Sequence, residues 1–68
     1  MENTFGKNLK QLREIAKIGQ IQLAKALGVS KGIISMWENG LREPTMSSLI
    51  SLAKFFNVSI DYLVGLEN

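Results

Sequence analysis

Residues 20–40 read Gln-Ile-Gln-Leu-Ala-Lys-Ala-Leu-Gly-Val-Ser-Lys-Gly-Ile-Ile-Ser-Met-Trp-Glu-Asn-Gly, and the fold of the 68-residue chain turns on them. Leu23, Ala24 and Leu27 recur at the spacing of one helical face. Gly28 suits the left-handed conformation that ends a helix, and Ser30 suits the cap of the next. Ile34 and Trp37 then form the buried face of a second helix. Two helices this short cannot pack antiparallel across a three-residue break. They must cross steeply, and Ala24 is small enough to let the second come close.

That geometry is a helix-turn-helix. Ala24, Gly28, Ile34 and Trp37, in that order and spacing, resemble the signature of the phage-repressor and Cro type, the XRE family. Leu12-Arg13 before the motif, Trp37-Glu38-Asn39-Gly40 at its close, Pro44 after it and Val58 to Gly65 near the end look like family landmarks in their expected sequence. The resemblance implies a single all-α domain over residues 1–68, a compact five-helix lambda-repressor-like fold with helices 2 and 3 as the helix-turn-helix. It also implies sequence-specific binding of double-stranded operator DNA by a transcriptional regulator, in the first instance a repressor.

The rest of the chain supplies the other three helices. Thr4 or Asn3 can cap a first helix with Phe5, Leu9, Leu12 and Ala16 along its buried stripe and Gly19 at its end. After Pro44, Thr45 can cap a helix carrying Leu49, Leu52, Ala53 and Phe56 inward. Asn57-Val58 forms a break, and Ser59 caps a short last helix closed by Gly65, with Ile60, Leu63 and Val64 over the core.

Composition excludes several kinds of chemistry. The chain is 46% apolar and 21% charged, with no apolar run near the ~20 residues a bilayer requires. Met1-Glu2-Asn3-Thr4 lacks the features of a secretory leader, so a cytoplasmic location and no membrane partner are expected. With neither cysteine nor histidine there is no disulfide framework, no ordinary zinc site and no imidazole base. Ser30 and Ser35 have no base to activate them, so no catalytic residue, cofactor or small-molecule ligand is expected. The net charge is +2. Six basic residues against two acidic lie in residues 1–34, and two basic against four acidic in residues 35–68. If the fold puts the first three helices toward one side, that side faces a polyanion.

Candidate site residues follow from the helical wheel and the resemblance together. With Ile34 and Trp37 inward, Gly32, Ser35, Met36 and Asn39 face outward with Lys31 and Ile33 on the flanks. Lys31, Gly32, Ile33, Ser35 and Met36 are therefore the expected base contacts in a major groove. No Arg, Gln or Asn stands between Lys31 and Met36 to read guanine or adenine by two hydrogen bonds. Such a face reads by methyl contact, water and DNA shape, or it has turned to a protein partner. A protein-interaction module of antirepressor or antitoxin type is accordingly the alternative function.

Phosphate contacts are expected from Gln20 at the positive end of helix 2, from Ser30, from Asn39 and Gly40, and from Arg42. Arg13 and Glu38 each border a buried stripe, and opposite charges so placed should pair; the resemblance implies the same structural ion pair. Leu41, Phe55, Val58 and Leu66 lie outside the clearest core stripes and are candidate contacts of a weak homodimer on a palindromic site.

Overall fold

A computed structural model describes residues 3–67, which hold five helices and no strand. They are α1 (Thr4–Ile15), α2 (Gln20–Leu27), α3 (Lys31–Glu38), α4 (Met46–Phe56) and α5 (Ile60–Val64). α3 packs on both α1 and α2, while α5 closes against α1 and α4.

Local chemistry sets the starts. Asn3, Ser30, Thr45 and Ser59 each accept, through a side-chain oxygen, the N–H three residues on: Gly6, Ile33, Ser48 and Tyr62 at 3.1, 3.2, 3.2 and 2.9 Å. Each cap satisfies a first-turn donor that the helix itself leaves open. α2 differs. Its cap is Gly19, which has no side chain to offer, and the Gln22 Oε1 reaches back to accept the Gly19 N–H at 2.8 Å.

The helix ends repeat one device. Lys17, Gly28, Gly40, Asn57 and Gly65 all take the left-handed conformation, and the N–H of each following residue bonds a carbonyl five positions back. This is the Schellman arrangement. It corrects the expected end of α1: the helix stops at Ile15, not at Gly19, because Lys17 adopts φ 58° without a glycine. The reversal exposes Ala16, expected in the core, and brings Ile18 against the core in its place.

Leu9, Leu23, Ala24, Ile34, Trp37, Leu49, Leu52 and Leu63 form the buried centre. Each large side chain here contributes about 1.5–3 kcal/mol of burial. Phe5 meets the Trp37 ring edge-on, centroids 6.2 Å apart. Gly6 makes the approach of α1 to α3 possible, since a Cβ there would lie 2.5 Å from the Trp37 carbonyl oxygen. Asn8 Nδ2 donates to the Tyr62 carbonyl at 2.9 Å, which also accepts the Gly65 N–H, and so ties α1 to the end of α5.

Candidate nucleic-acid interface

α3 is fixed from three directions. Ile34 and Trp37 are buried in the core. Asn3 Nδ2 donates to the Glu38 main-chain carbonyl at 2.9 Å, holding the helix's last turn against the start of α1. The Glu38 carboxylate accepts from Arg13 Nε at 2.7 Å, from Arg13 Nη2 at 3.1 Å and from Gln20 Nε2 at 3.0 Å. Arg13 also donates from Nη1 to the Ile18 carbonyl at 3.0 Å. Side-chain exposure is 13% for Arg13 and 4% for Glu38, so water screens the pair weakly. The hydrogen bond to Glu38 raises the Arg13 guanidinium above its ordinary pKa against the opposing effect of burial.

The opposite edge of α3 is left partly open by the other described residues. Lys31, Gly32 and Asn39 are exposed, while Ser35 and Met36 are half-buried. Ile33 is also half-buried and packs against the core, which leaves it less free for a partner than its flanking position suggested.

The expected phosphate contacts are differently placed. Ser30 keeps its hydroxyl hydrogen, because its oxygen acts as the acceptor in the cap. Gln20 stands at the start of α2, but its amide nitrogen already holds Glu38, leaving one hydrogen of that group. The Gly40 N–H, read from the sequence as a phosphate donor, is occupied by the Trp37 carbonyl at 3.2 Å, and the Leu41 N–H by the Met36 carbonyl at 2.9 Å. Both close the end of α3, so Gly40 shapes the turn. Asn39 Nδ2 is likewise engaged, with the Ser35 carbonyl at 2.9 Å and its Oγ at 3.3 Å. Arg42 is exposed, with no hydrogen bond or ion pair among the described residues.

Of the residues read as dimer contacts, Leu41, Leu66 and Phe55 are 76%, 78% and 45% exposed. Val58 is half-buried and packs on the core, which reduces what it can offer a second chain. Sequence reasoning passed over Ile15, Ile21 and Met46, which are also exposed. Among the described residues no group of three or more acidic, histidine or cysteine side chains is placed to hold a metal ion, and no helix is long and apolar enough to cross a membrane.

Five helices so packed, with α2 and α3 crossing at a glycine turn, define the all-α lambda-repressor-like class. A family model described as helix-turn-helix matches residues 9–63, and the chain belongs to that family, of the XRE type. The HTH-type transcriptional activator BcrR of Enterococcus faecalis is 46% identical over 63 residues, covering 93% of this chain and 31% of that protein. Repressor protein C2 of Salmonella phage P22 is 39% identical over 60 residues, covering 88% of this chain and 28% of its own length. A crystal structure of the P22 c2 repressor with a synthetic operator superposes with a TM-score of 0.87 at 36% identity, covering 93% of this chain and 96% of that one. The chain spans only part of its curated relatives, from 28% of repressor protein C2 to 57% of the Bacillus subtilis regulator YobD.

Proposed function

We propose that this chain is the DNA-binding module of a transcriptional regulator, with α3 in the major groove of double-stranded DNA. The observation that carries the reading is the open edge of α3: burial of Ile34 and Trp37 turns Lys31, Gly32, Ser35 and Met36 away from the core. Lys31 can donate to guanine, Ser35 can pair with several bases, and Met36 can lie against thymine methyls. Base preference is then soft, with groove shape contributing at positions that no side chain touches.

Phosphates on one flank meet the start of α2. It is the one described helix whose first turn has no side-chain cap, so its N–H groups and positive dipole end are open to an anion beside the second Gln20 hydrogen, and the Ser30 hydroxyl at the start of α3 is a separate donor. Arg42 supplies the other flank, beyond the turn that Gly40 shapes. Glu43 beside it and Leu41 before it keep that loop weakly basic, so the salt dependence of binding should be shallow.

Two copies acting on a palindromic site complete the proposal. The domain's longest extent is 27 Å, less than the about 34 Å between half-sites one DNA turn apart, so one copy cannot read both. Exposed Leu41, Phe55 and Leu66 offer apolar surface for a weak twofold contact. Repression is the expected consequence, because occupancy alone can exclude polymerase from a promoter, whereas activation requires a further surface that contacts it.

The test is a salt titration of binding to random and selected duplexes. Measurable affinity for random duplex at ~50 mM salt is expected, with a tighter mode for sequences drawn from a random pool. No detectable binding to any duplex at that salt would overturn the reading and leave the protein-interaction module in its place.

A further inference from the structure

Asn39 and Gly40 are joined by the one peptide bond of the chain in which glycine follows asparagine. Asn3, Asn8 and Asn57 precede threonine, leucine and valine, whose side chains crowd the next main-chain nitrogen, whereas the Gly40 nitrogen carries no such shield. Asn39 is also exposed. A side-chain amide so placed is open to attack by the nitrogen that follows it. The Gly40 nitrogen gives its proton to hydroxide and bonds to the Asn39 Cγ, closing a five-membered imide as the Cγ–Nδ2 bond breaks and ammonia leaves with a proton from water. Water then adds to one of the two ring carbonyls, and the bond from that carbonyl to the ring nitrogen breaks. Opening at Cγ gives aspartate at position 39, and opening at the main-chain carbonyl gives its isomer, with the chain routed through Cγ. One water is consumed and one ammonia released.

The folded end of α3 holds these groups apart. At ψ 3° for Asn39, the Gly40 nitrogen is rotated away from the Asn39 side chain. The Gly40 N–H is held by the Trp37 carbonyl at 3.2 Å, and Asn39 Nδ2 by the Ser35 carbonyl at 2.9 Å and Oγ at 3.3 Å. The Leu41 N–H, bonded to the Met36 carbonyl at 2.9 Å, fixes the far side of Gly40. Ring closure therefore requires this turn to open, and opening a helix end costs less than unfolding the domain.

We infer that Asn39-Gly40 is a spontaneous deamidation site, timed by opening of the α3 end, whose product cannot rebuild that end and loses its grip on DNA. The binding step rests on the DNA reading above. In the product a carboxylate oxygen would stand where Nδ2 now meets the Ser35 carbonyl, acceptor against acceptor, with its charge at the negative end of the α3 dipole. On the open edge of α3 that charge would also repel phosphates. The isomer adds a carbon to the main chain and so displaces the Gly40 and Leu41 bonds that close the helix.

The full chain is held for days in mildly alkaline buffer, folded and in guanidinium chloride, and conversion at each asparagine is followed by mass spectrometry of its peptides. In denaturant Asn39 should convert at least tenfold faster than Asn57, and folding should slow Asn39 at least tenfold. A smaller ratio in either comparison overturns the inference. Asn39→Asp, shown to fold by circular dichroism, should bind random duplex at ~50 mM salt at least threefold more weakly than Asn39→Ala, which loses the same Ser35 bonds without gaining a charge. A smaller difference also overturns the inference, since conversion would then carry no consequence for binding. Absence of any duplex binding by the natural chain removes the DNA reading and overturns the binding step with it, and the mass measurement tells that failure apart from a failure of the site.

Discussion

Replacing Glu38 by alanine removes the acceptor for three hydrogen bonds at once, two from Arg13 and one from Gln20. The magnitude depends on which limit the pair obeys. Exposed ion pairs contribute at most about 1 kcal/mol, whereas taking one partner from a buried pair costs about 3–5 kcal/mol because the other charge is left without compensation. With side-chain exposures of 13% and 4%, the pair lies toward the buried limit. Arg13 would keep its hydrogen bond to the Ile18 carbonyl, which offsets part of the loss. The lower end, about 3 kcal/mol, is therefore expected, or a fall in melting temperature of about 12–24 °C for a domain of this size. Thermal and urea unfolding followed by circular dichroism measure it. Replacing both partners by apolar residues, Arg13→Met with Glu38→Leu, should restore much of the loss, since no charge is then stranded. Raised pH should not reproduce the effect. The folded-state pKa of Arg13 lies above its ordinary value, so its contribution is fully present below the unfolded value and is lost only as pH rises through the folded one. A melting temperature for Glu38→Ala within about 4 °C of the natural chain would refute the argument and place the pair at the solvent-screened limit.

Lys17→Gly should stabilise the domain by about 1 kcal/mol, because Lys17 holds a left-handed conformation that glycine adopts without steric penalty; an unchanged or lower melting temperature would show that the C-terminal turn of α1 differs. Met36→Ala should alter the sequences recovered from a random DNA pool more than it alters overall affinity, whereas Arg42→Ala should weaken all duplexes alike and flatten the salt dependence by about one unit of slope. The reverse pattern would mean that the groove-facing edge of α3 is misassigned. Phe55→Glu with Leu66→Glu should abolish weak self-association at high micromolar concentration in sedimentation and reduce cooperativity on paired half-sites; monomer in the natural chain, with one-to-one DNA stoichiometry, would dispose of the dimer.

What was legible in the sequence is what neighbouring residues decide among themselves. A hydroxyl or amide three residues before a free N–H makes a cap wherever it stands, so Ser30, Thr45 and Ser59 could be placed from the chain alone. The end of α1 could not. Gly19 is the residue that ordinarily stops a helix, but Lys17 accepts the strained conformation two residues earlier, since doing so turns Ile18 onto the core and frees Gly19 to start α2. Some of the phosphate candidates are already engaged within the chain, for a related reason. An N–H after a helix looks available in sequence, and only the closed turn shows that Gly40 and Leu41 donate backward. Gln20 looked like a free amide because its acceptor, Glu38, is 18 residues away. The Asn3 bond to the Glu38 carbonyl spans 35 residues and has no local signal at all.

These long-range ties explain how so short a helix can hold the one orientation that the proposed DNA reading requires. α3 has eight residues, well below the ~12–15 at which an isolated helix becomes even marginal in water, and one of the eight is glycine. Its existence and its orientation must both come from outside it. Ile34 and Trp37 fix its depth in the core, while Asn3 holds the Glu38 carbonyl and Arg13 with Gln20 holds the Glu38 carboxylate. All of these ties are made by the buried face of α3 and its C-terminal end. The N-terminal turn, which the proposed base readout would use most, is held among the described residues by the Ser30 cap and by Ile33 and Ile34 against the core, with no tie like those at Glu38. Orientation is thus set at one end of α3 and used at the other, through two turns of helix. Asn3, and Gln20 in its bond to Glu38, then govern where Lys31 and Ser35 arrive, and the loss of either tie should blur discrimination between sequences before it abolishes binding.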